Sequence, residues 1–395
     1  MRRSFTAPET MTRAAGLERL AAFVADRGVD YAARRNDDRG AGAEPTTSAL
    51  SPLLRRRLIT EAEVASAARS AYGERGAKKF VSEVFWRTYF KGHLETHPEA
   101  WTGYLALAVA DRARLAAEPG LRRTYEAAIE GRTGIDAFDA WALELTETGW
   151  LHNHARMWFA SIWIFTLRLP WALGAAHFMA YLVDGDPASN TLSWRWVAGL
   201  HTRGKHYVAR AENIRRHTEG RFEPAGLDEH PASLDEERPP REVPLPPADA
   251  ALVGEVAVLL HLDDLHPEDL PLGRARVVRV GGSIVHAPGA SDRVRAADRA
   301  AMADALARAG AHFGCPARPI DGGAAGGTED DWAGGLPMVT AWAPVGPSAD
   351  ALPAGCLRVR RAWDEAAWPL STRGYSRLRK AIPDVLDGVV SGAAL

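Results

Sequence analysis

Apolar positions along this chain fall into two regimes. From Ser4 to Phe222 they recur mostly at three- and four-residue steps, the spacing of a buried helical stripe. Beyond Ala250 they gather instead into the short runs VGEVAVLLHL, RARVVRVGGSIVHA and PMVTAWAPV, which read as strands. Val294 to Gly310, rich in alanine, and Leu370 to Leu386 read as helices among them. Residues 223–250, EPAGLDEHPASLDEERPPREVPLPPADA, have no periodicity and are rich in proline and acid, as linkers are. The pattern predicts a mainly α protein with an all-helical domain over 1–222, a linker over 223–250 and a small α/β domain over 251–395.

Within the helical part, Thr12, Ala15, Leu17, Leu20 and Phe23 predict a helix ending near Gly28, and another begins shortly after Pro52. Phe80 to Glu95 is amphipathic, and Glu83, Trp86, Arg87 and Phe90 fall on one face at i, i+3, i+4 and i+7. Leu105 to Glu130 is helical and charged with a break at Glu118-Pro-Gly120, and Ala137 to Thr148 forms a further helix. The chain then reaches its centre, Gly149 to Asn190, which predicts a long helix, a second after Pro170 and a polar loop. Leu151, Ala155, Trp158 and Ile162 make the buried stripe of the first of these. Asn153, Arg156 and Met157 share a neighbouring face, and the loop from Asp184 to Asn190 returns two carboxylates and an amide towards them. Such a set needs something buried, flat and polar-edged to satisfy it, and a flavin would do so.

Composition narrows the picture. At 395 residues, two domains are the default, and a net charge of −2 excludes a wholly basic nucleic-acid-coating protein. His201 to Arg216 is nevertheless a local basic run suited to a phosphate backbone. Cys315 and Cys356 give no disulfide framework and no zinc spacing. His152-x-His154 lacks the i, i+4 step and the further ligands of a metal site, so no metal is expected. Arg168 and Pro170 interrupt the most apolar run, and the N-terminus has no signal core, which predicts a cytoplasmic protein without a membrane span. Nine of the thirteen tryptophans lie between Trp86 and Trp196, concentrating indole where the flavin reading needs flat surfaces.

Taken in order, these residues resemble the FAD-binding domain of the photolyase/cryptochrome family. The resemblance covers roughly Tyr31 to Phe222 and rests on five ordered blocks: Thr47-Ser48-x-Leu50-Ser51-Pro52 with Tyr31 upstream; Glu83-x-x-Trp86-Arg87; Gly149-Trp150-x-His152-Asn153-x-x-Arg156-Met157; Asp184-Gly-Asp186 with Asn190; and Trp194-x-Trp196. It implies that Thr47, Ser48, Leu50 and Ser51 hold the FAD pyrophosphate, with Tyr31 as the upstream tyrosine of the cofactor site. Arg156 would pair with Asp184 against the flavin, Asp186 would lie near its N3 edge and Asn190 would face N5. Glu83, Trp86, Asn153, Met157 and Trp196 would line a pocket for a flipped pyrimidine dimer, with Arg87 on DNA phosphate. Trp194 and Trp171 match the inner members of an electron-carrying tryptophan chain, but Leu105 to Glu130 holds no tryptophan for the outer one, leaving Tyr125 and Trp158 as candidate exits. No antenna domain precedes the helical part, so FAD without an antenna chromophore is expected, in a monomer that repairs damaged DNA under light. A flavin photoreceptor without repair activity is the alternative, and an FAD scaffold without photochemistry a third.

Overall fold

The computed structural model describes residues 4–26, 28, 30–249, 252–320 and 331–392. Helices α1 (Arg13–Asp26), α2 (Tyr31–Arg34) and α3 (Ser51–Arg55) lead into α4 (Glu61–Thr96), which is 36 residues long. Thr60 and Glu63 start α4 with a reciprocal capping box, in which each side chain bonds the other's backbone N–H. The run expected from Phe80 to Glu95 is therefore the second half of a longer helix, which breaks at Gly73 where φ is +64°. Then come α5 (Glu99–Ala117), α6 (Pro119–Ile129), α7 (Asp136–Thr148) and α8 (Asn153–Ser161), the last running into a π turn over Ile162–Thr166. Helices α9 (Trp171–Tyr181), α10 (Pro187–Ala198) and α11 (Ala211–His217) complete this part.

The polar loop expected from Asp184 to Asn190 is shorter than that. Asp186 accepts from Ser189 N at 2.8 Å and caps α10, whose first residue is Pro187. Proline suits this position because its missing N–H is one the helix would leave unbonded. Asn190 accordingly stands on a rigid helix.

The C-terminal part forms a five-stranded parallel sheet from β1 (Val253–His261), β2 (Arg274–Ser283), β3 (Ala317–Pro319), β4 (Met338–Ala341) and β5 (Leu357–Val359), in the order β3-β2-β1-β4-β5. Its helices are α12 (Asp292–Phe313), α13 (Pro347–Asp350), α14 (Ala362–Ala367) and α15 (Tyr375–Gly392). The order places a topological switch between β1 and β4, beside which open sheets of this type offer a crevice at their carboxyl edge.

The packing does not follow the expected boundary at 250/251, two positions that lie outside the described residues. One buried cluster joins Phe23, Phe80 and Phe85 of α1 and α4 to Val258 and Leu260 of β1 and to Leu378 of α15. A second holds Trp141, Trp158, Trp163 and Trp194 within the helical part. Two backbone bonds pin the segment expected as linker to the helices, Leu234 N to Ala198 O at 2.9 Å and Val243 N to Thr96 O at 2.8 Å. Among the described residues, no helix is long and apolar enough to cross a membrane.

Candidate functional site

Helices α4, α8 and α10, with the segment leading into α3, enclose a cavity of about 550 Å3. Every residue that the sequence singled out for cofactor or substrate lines it: Tyr31, Thr47, Ser48, Leu50, Ser51, Glu83, Trp86, Arg87, Asn153, Arg156, Met157, Asp184, Asp186, Asn190, Trp194 and Trp196. They come from separate elements over some 165 positions, and the fold brings them to one surface.

Local bonds fix each side chain. Arg156 donates from Nη2 to Asp184 Oδ2 at 2.8 Å and from Nε to Leu151 O at 3.0 Å. Asn190 donates to Ala175 O at 2.9 Å. Burial alone would raise the pKa of Asp186, but Arg87 at 2.8 Å and Lys91 at 3.7 Å, helped by Arg55, hold it well below the usual carboxylate range. Glu83 is half-buried and pairs with Lys79 and, at 3.7 Å, with Arg35. Trp196 stacks on Tyr207 with centroids 5.6 Å apart.

Residues 80–226 match the family model described as the FAD binding domain of DNA photolyase. The deoxyribodipyrimidine photo-lyase of Streptomyces griseus is 37% identical over 186 residues, which are 44% of this chain and 39% of that protein. An enzyme of the same name from Thermus thermophilus is 36% identical over 186 residues, 47% of this chain and 42% of its own. Over residues 80–226, then, the chain is similar to the FAD-binding domain of photolyases. It spans about two fifths of the length of these curated relatives. A solved class III photolyase from Agrobacterium tumefaciens is 25% identical over 52% of this chain and 44% of its own, with a TM-score of 0.42.

The cavity has polar groups that fit FAD. Two of its side-chain atoms are buried without a hydrogen-bond partner, Thr47 Oγ1 and Asp184 Oδ1. A hydroxyl can donate to a phosphate oxygen, whereas a carboxylate oxygen can only accept, as from a ring N–H. Buried polar atoms left unpaired are costly, so both favour a ligand offering these complementary groups.

Two expectations change. Arg87 was to reach DNA phosphate, but its guanidinium points inward to Asp186 and, at 3.4 Å, to Ser51 O, because that buried carboxylate is the stronger partner. Trp171 is absent from the cavity wall and packs instead on Tyr104, with centroids 5.8 Å apart. The ring that meets Trp194 at 6.2 Å is Trp163, which in turn meets Tyr125 at 5.8 Å. Trp158, the other candidate exit, stacks on Trp141 and His154 away from that line. Sequence reasoning also missed Tyr375 of α15, which stacks on Trp86 with centroids 3.8 Å apart and an interplanar angle of 21°. It lies 289 positions away in sequence and leaves no local spacing signal.

Proposed function

We propose that the chain repairs cyclobutane pyrimidine dimers in DNA, driven by light and dependent on FAD. The observation that carries this reading is a single cavity with two kinds of wall. One holds the Thr47–Ser51 segment and the Arg156–Asp184 pair, suited to a flavin dinucleotide; the other holds Glu83, Trp86, Asn153, Met157 and Trp196, suited to a pair of bases. The deoxyribodipyrimidine photo-lyase relatives at 36–37% identity support it.

When bound and reduced, FAD supplies a photoexcited electron that splits the cyclobutane ring and is afterwards returned. The chain's own work is positional. Thr47, Ser48 and Ser51 hold the phosphates, Arg156 and Asp184 fix the ring, and Asp186 with Asn190 sets the polarity along its edge. Trp86 and Trp196 offer flat faces to bases taken out of the stack, as the handling of a buried lesion requires. Glu83, at the same wall and held by Lys79 and Arg35, can accept a hydrogen bond from a base N–H of the dimer. Lys205, Arg210, Arg215 and Arg216 are exposed and carry the contact with the DNA backbone.

The test is direct. Purified protein is expected to be yellow and, once reduced and illuminated, to remove dimers from an oligonucleotide. Replacing Trp86 by alanine is expected to weaken lesion binding about 5- to 150-fold, the worth of one stacked base, and to change binding to undamaged duplex far less. Equal wild-type affinity for both DNAs with no dimer loss would leave a flavin photoreceptor instead.

A further inference from the structure

The segment Leu182–Asp186, between α9 and α10, carries both aspartates of the cofactor wall on a short stretch of chain without regular structure. Val183 N donates to Gly149 O at 2.8 Å and Gly185 N to Leu182 O at 3.0 Å. Its carbonyls reach away from the cavity to two guanidinium groups. Val183 O accepts from Arg56 Nη1 at 2.7 Å, and Gly185 O accepts from Arg55 Nε at 2.7 Å.

Both guanidinium groups are held at their far ends by the α/β part. Arg55 Nη1 donates to Asp263 Oδ1 at 2.7 Å and to Leu262 O at 3.1 Å, just beyond β1. Arg56 donates from Nε and Nη2 to Asp298 Oδ1 at 3.0 and 2.5 Å, and His286 Nδ1 lies 2.9 Å from Asp298 Oδ2. All four charged side chains are buried, so water does not compete for them. A planar guanidinium fixed at both ends sets the distance between its partners, which a flexible ammonium does not.

We propose that the α/β part braces the cofactor wall, with Asp263 and Asp298 acting through Arg55 and Arg56 as positioning residues for the Leu182–Asp186 segment. The inference rests on the flavin reading above. It distinguishes two roles among the buried arginines. Arg57 pairs with Asp364, Asp264 and Glu61 and, among the described residues, makes no hydrogen bond or ion pair to the Leu182–Asp186 segment, so it joins the two parts without bracing the wall. If an aspartate of the brace is neutralised, its arginine is left with an uncompensated buried charge and turns towards the nearest remaining anion. For Arg55 that anion is Asp186, whose charge it already feels.

FAD titrations of the full chain would compare wild type with Asp298→Asn, Asp263→Asn, Arg56→Lys and the control Asp364→Asn. Arg56→Lys keeps the charge opposite Asp298 and so protects folding, but it cannot span both partners. The brace predicts that the first three variants bind FAD about tenfold more weakly, a loss within the range of one charge-assisted hydrogen bond. It also predicts altered fine structure in the visible spectrum of bound flavin. In the protein without FAD, amide exchange at Val183 and Gly185 is expected to be faster in Arg56→Lys. Asp364→Asn is expected to lower the melting temperature while leaving FAD affinity within about twofold and the spectrum unchanged. Folded Arg56→Lys with wild-type affinity, spectrum and exchange would overturn the brace alone. Wild-type protein that takes up no FAD would overturn the flavin reading and the brace with it.

Discussion

Two concave surfaces in this molecule are places where such elements bind ligands, and their polar groups are settled in opposite ways. In the cavity between α4, α8 and α10, Thr47 Oγ1 and Asp184 Oδ1 are buried without partners. At the carboxyl edge of the sheet, Asp263 and Asp264 stand where α/β sheets meet their ligands, and both are already paired. Asp263 accepts from Arg55, and Asp264 accepts from Arg57 at 3.3 Å and from Arg361 at 2.7 and 2.8 Å. The helical part has in effect placed arginine side chains where a ligand would sit. Burial alone therefore does not mark a binding site. Asp184 in the cavity keeps one oxygen unfilled, whereas both oxygens of Asp264 at the sheet edge are filled.

The largest expected effect follows from emptying the filled surface. Arg57 is buried, has φ +49°, and holds Asp364 through two bonds of 2.8 and 2.7 Å. Arg57→Ala leaves three acids without that partner and is expected to cost about 3–5 kcal/mol. Urea unfolding of the apoprotein measures it. A loss within the error of the method would mean that the charged seam contributes little and the shared apolar core holds the two parts together.

Acid titration separates the same seam from ordinary surface pairs. Burial would raise Asp264 and Asp298, but Arg361 with Arg57, and Arg56 with His286, hold them below the usual range. A carboxylate with a depressed folded pKa stabilises the fold fully above its unfolded value, near 4, and that stabilisation is lost as pH falls through the folded value. Glu95 has the opposite sign. Burial raises it to about 7 despite bonds from Trp342 Nε1 at 3.1 Å and Val345 N at 2.7 Å, so stability declines as pH rises from its unfolded value towards 7. Unfolding midpoints across this range are expected to fall on both sides, and Glu95→Gln is expected to remove only the decline on the neutral side.

The open surface gives a smaller effect on stability and a clearer one on the ligand. Removing Arg156 takes from Asp184 its bond of 2.8 Å, yet Arg156 is partly exposed and water can replace some of that bond. Arg156→Ala is expected to cost about 1–3 kcal/mol and to weaken FAD binding by about ten- to a hundredfold. Calorimetry with and without FAD distinguishes the two losses. Equal destabilisation of both forms would show that the pair is structural, as in the seam.

These contrasts explain what could be read from the sequence. The cavity was legible because its residues sit at fixed helical steps, as Glu83, Trp86 and Arg87 do on α4 and Asn153, Arg156 and Met157 on α8. The seam was not, because the acids that Arg55, Arg56 and Arg57 reach across it lie 208, 242 and 307 positions away. The inward turn of Arg87 was hidden for the same reason, since its partner Asp186 is 99 positions distant. The strand and helix pattern after residue 251 gave the α/β class, but nothing in it showed that α1 and α4 would share its core.

The mildest change probes how an electron reaches the open cavity from outside. Trp194 lines the cavity, Trp163 meets it at 6.2 Å, and Tyr125, half-buried on α6, meets Trp163 at 5.8 Å. Gly174 permits that junction, since a Cβ there would lie 2.3 Å from the Trp194 ring and 3.0 Å from Trp163. Trp163 donates its ring N–H to Pro170 O at 2.9 Å. A peptide carbonyl is too weak a base to take that proton, so on this path an oxidised Trp163 would keep it and pass the deficit to Tyr125. Trp163→Phe conserves most of the buried ring, so its cost in stability is expected to be small, about 1 kcal/mol. Photoreduction of oxidised flavin under blue light with an external reductant is nevertheless expected to slow severalfold, because phenylalanine is much harder to oxidise than tryptophan. The rival exit runs from Trp171 through Tyr104 to Trp101, with centroids 5.8 and 5.4 Å apart. If Trp163→Phe keeps the wild-type rate while Trp171→Phe loses it, electrons enter through Tyr104, and Trp163 belongs to the core that supports the cavity.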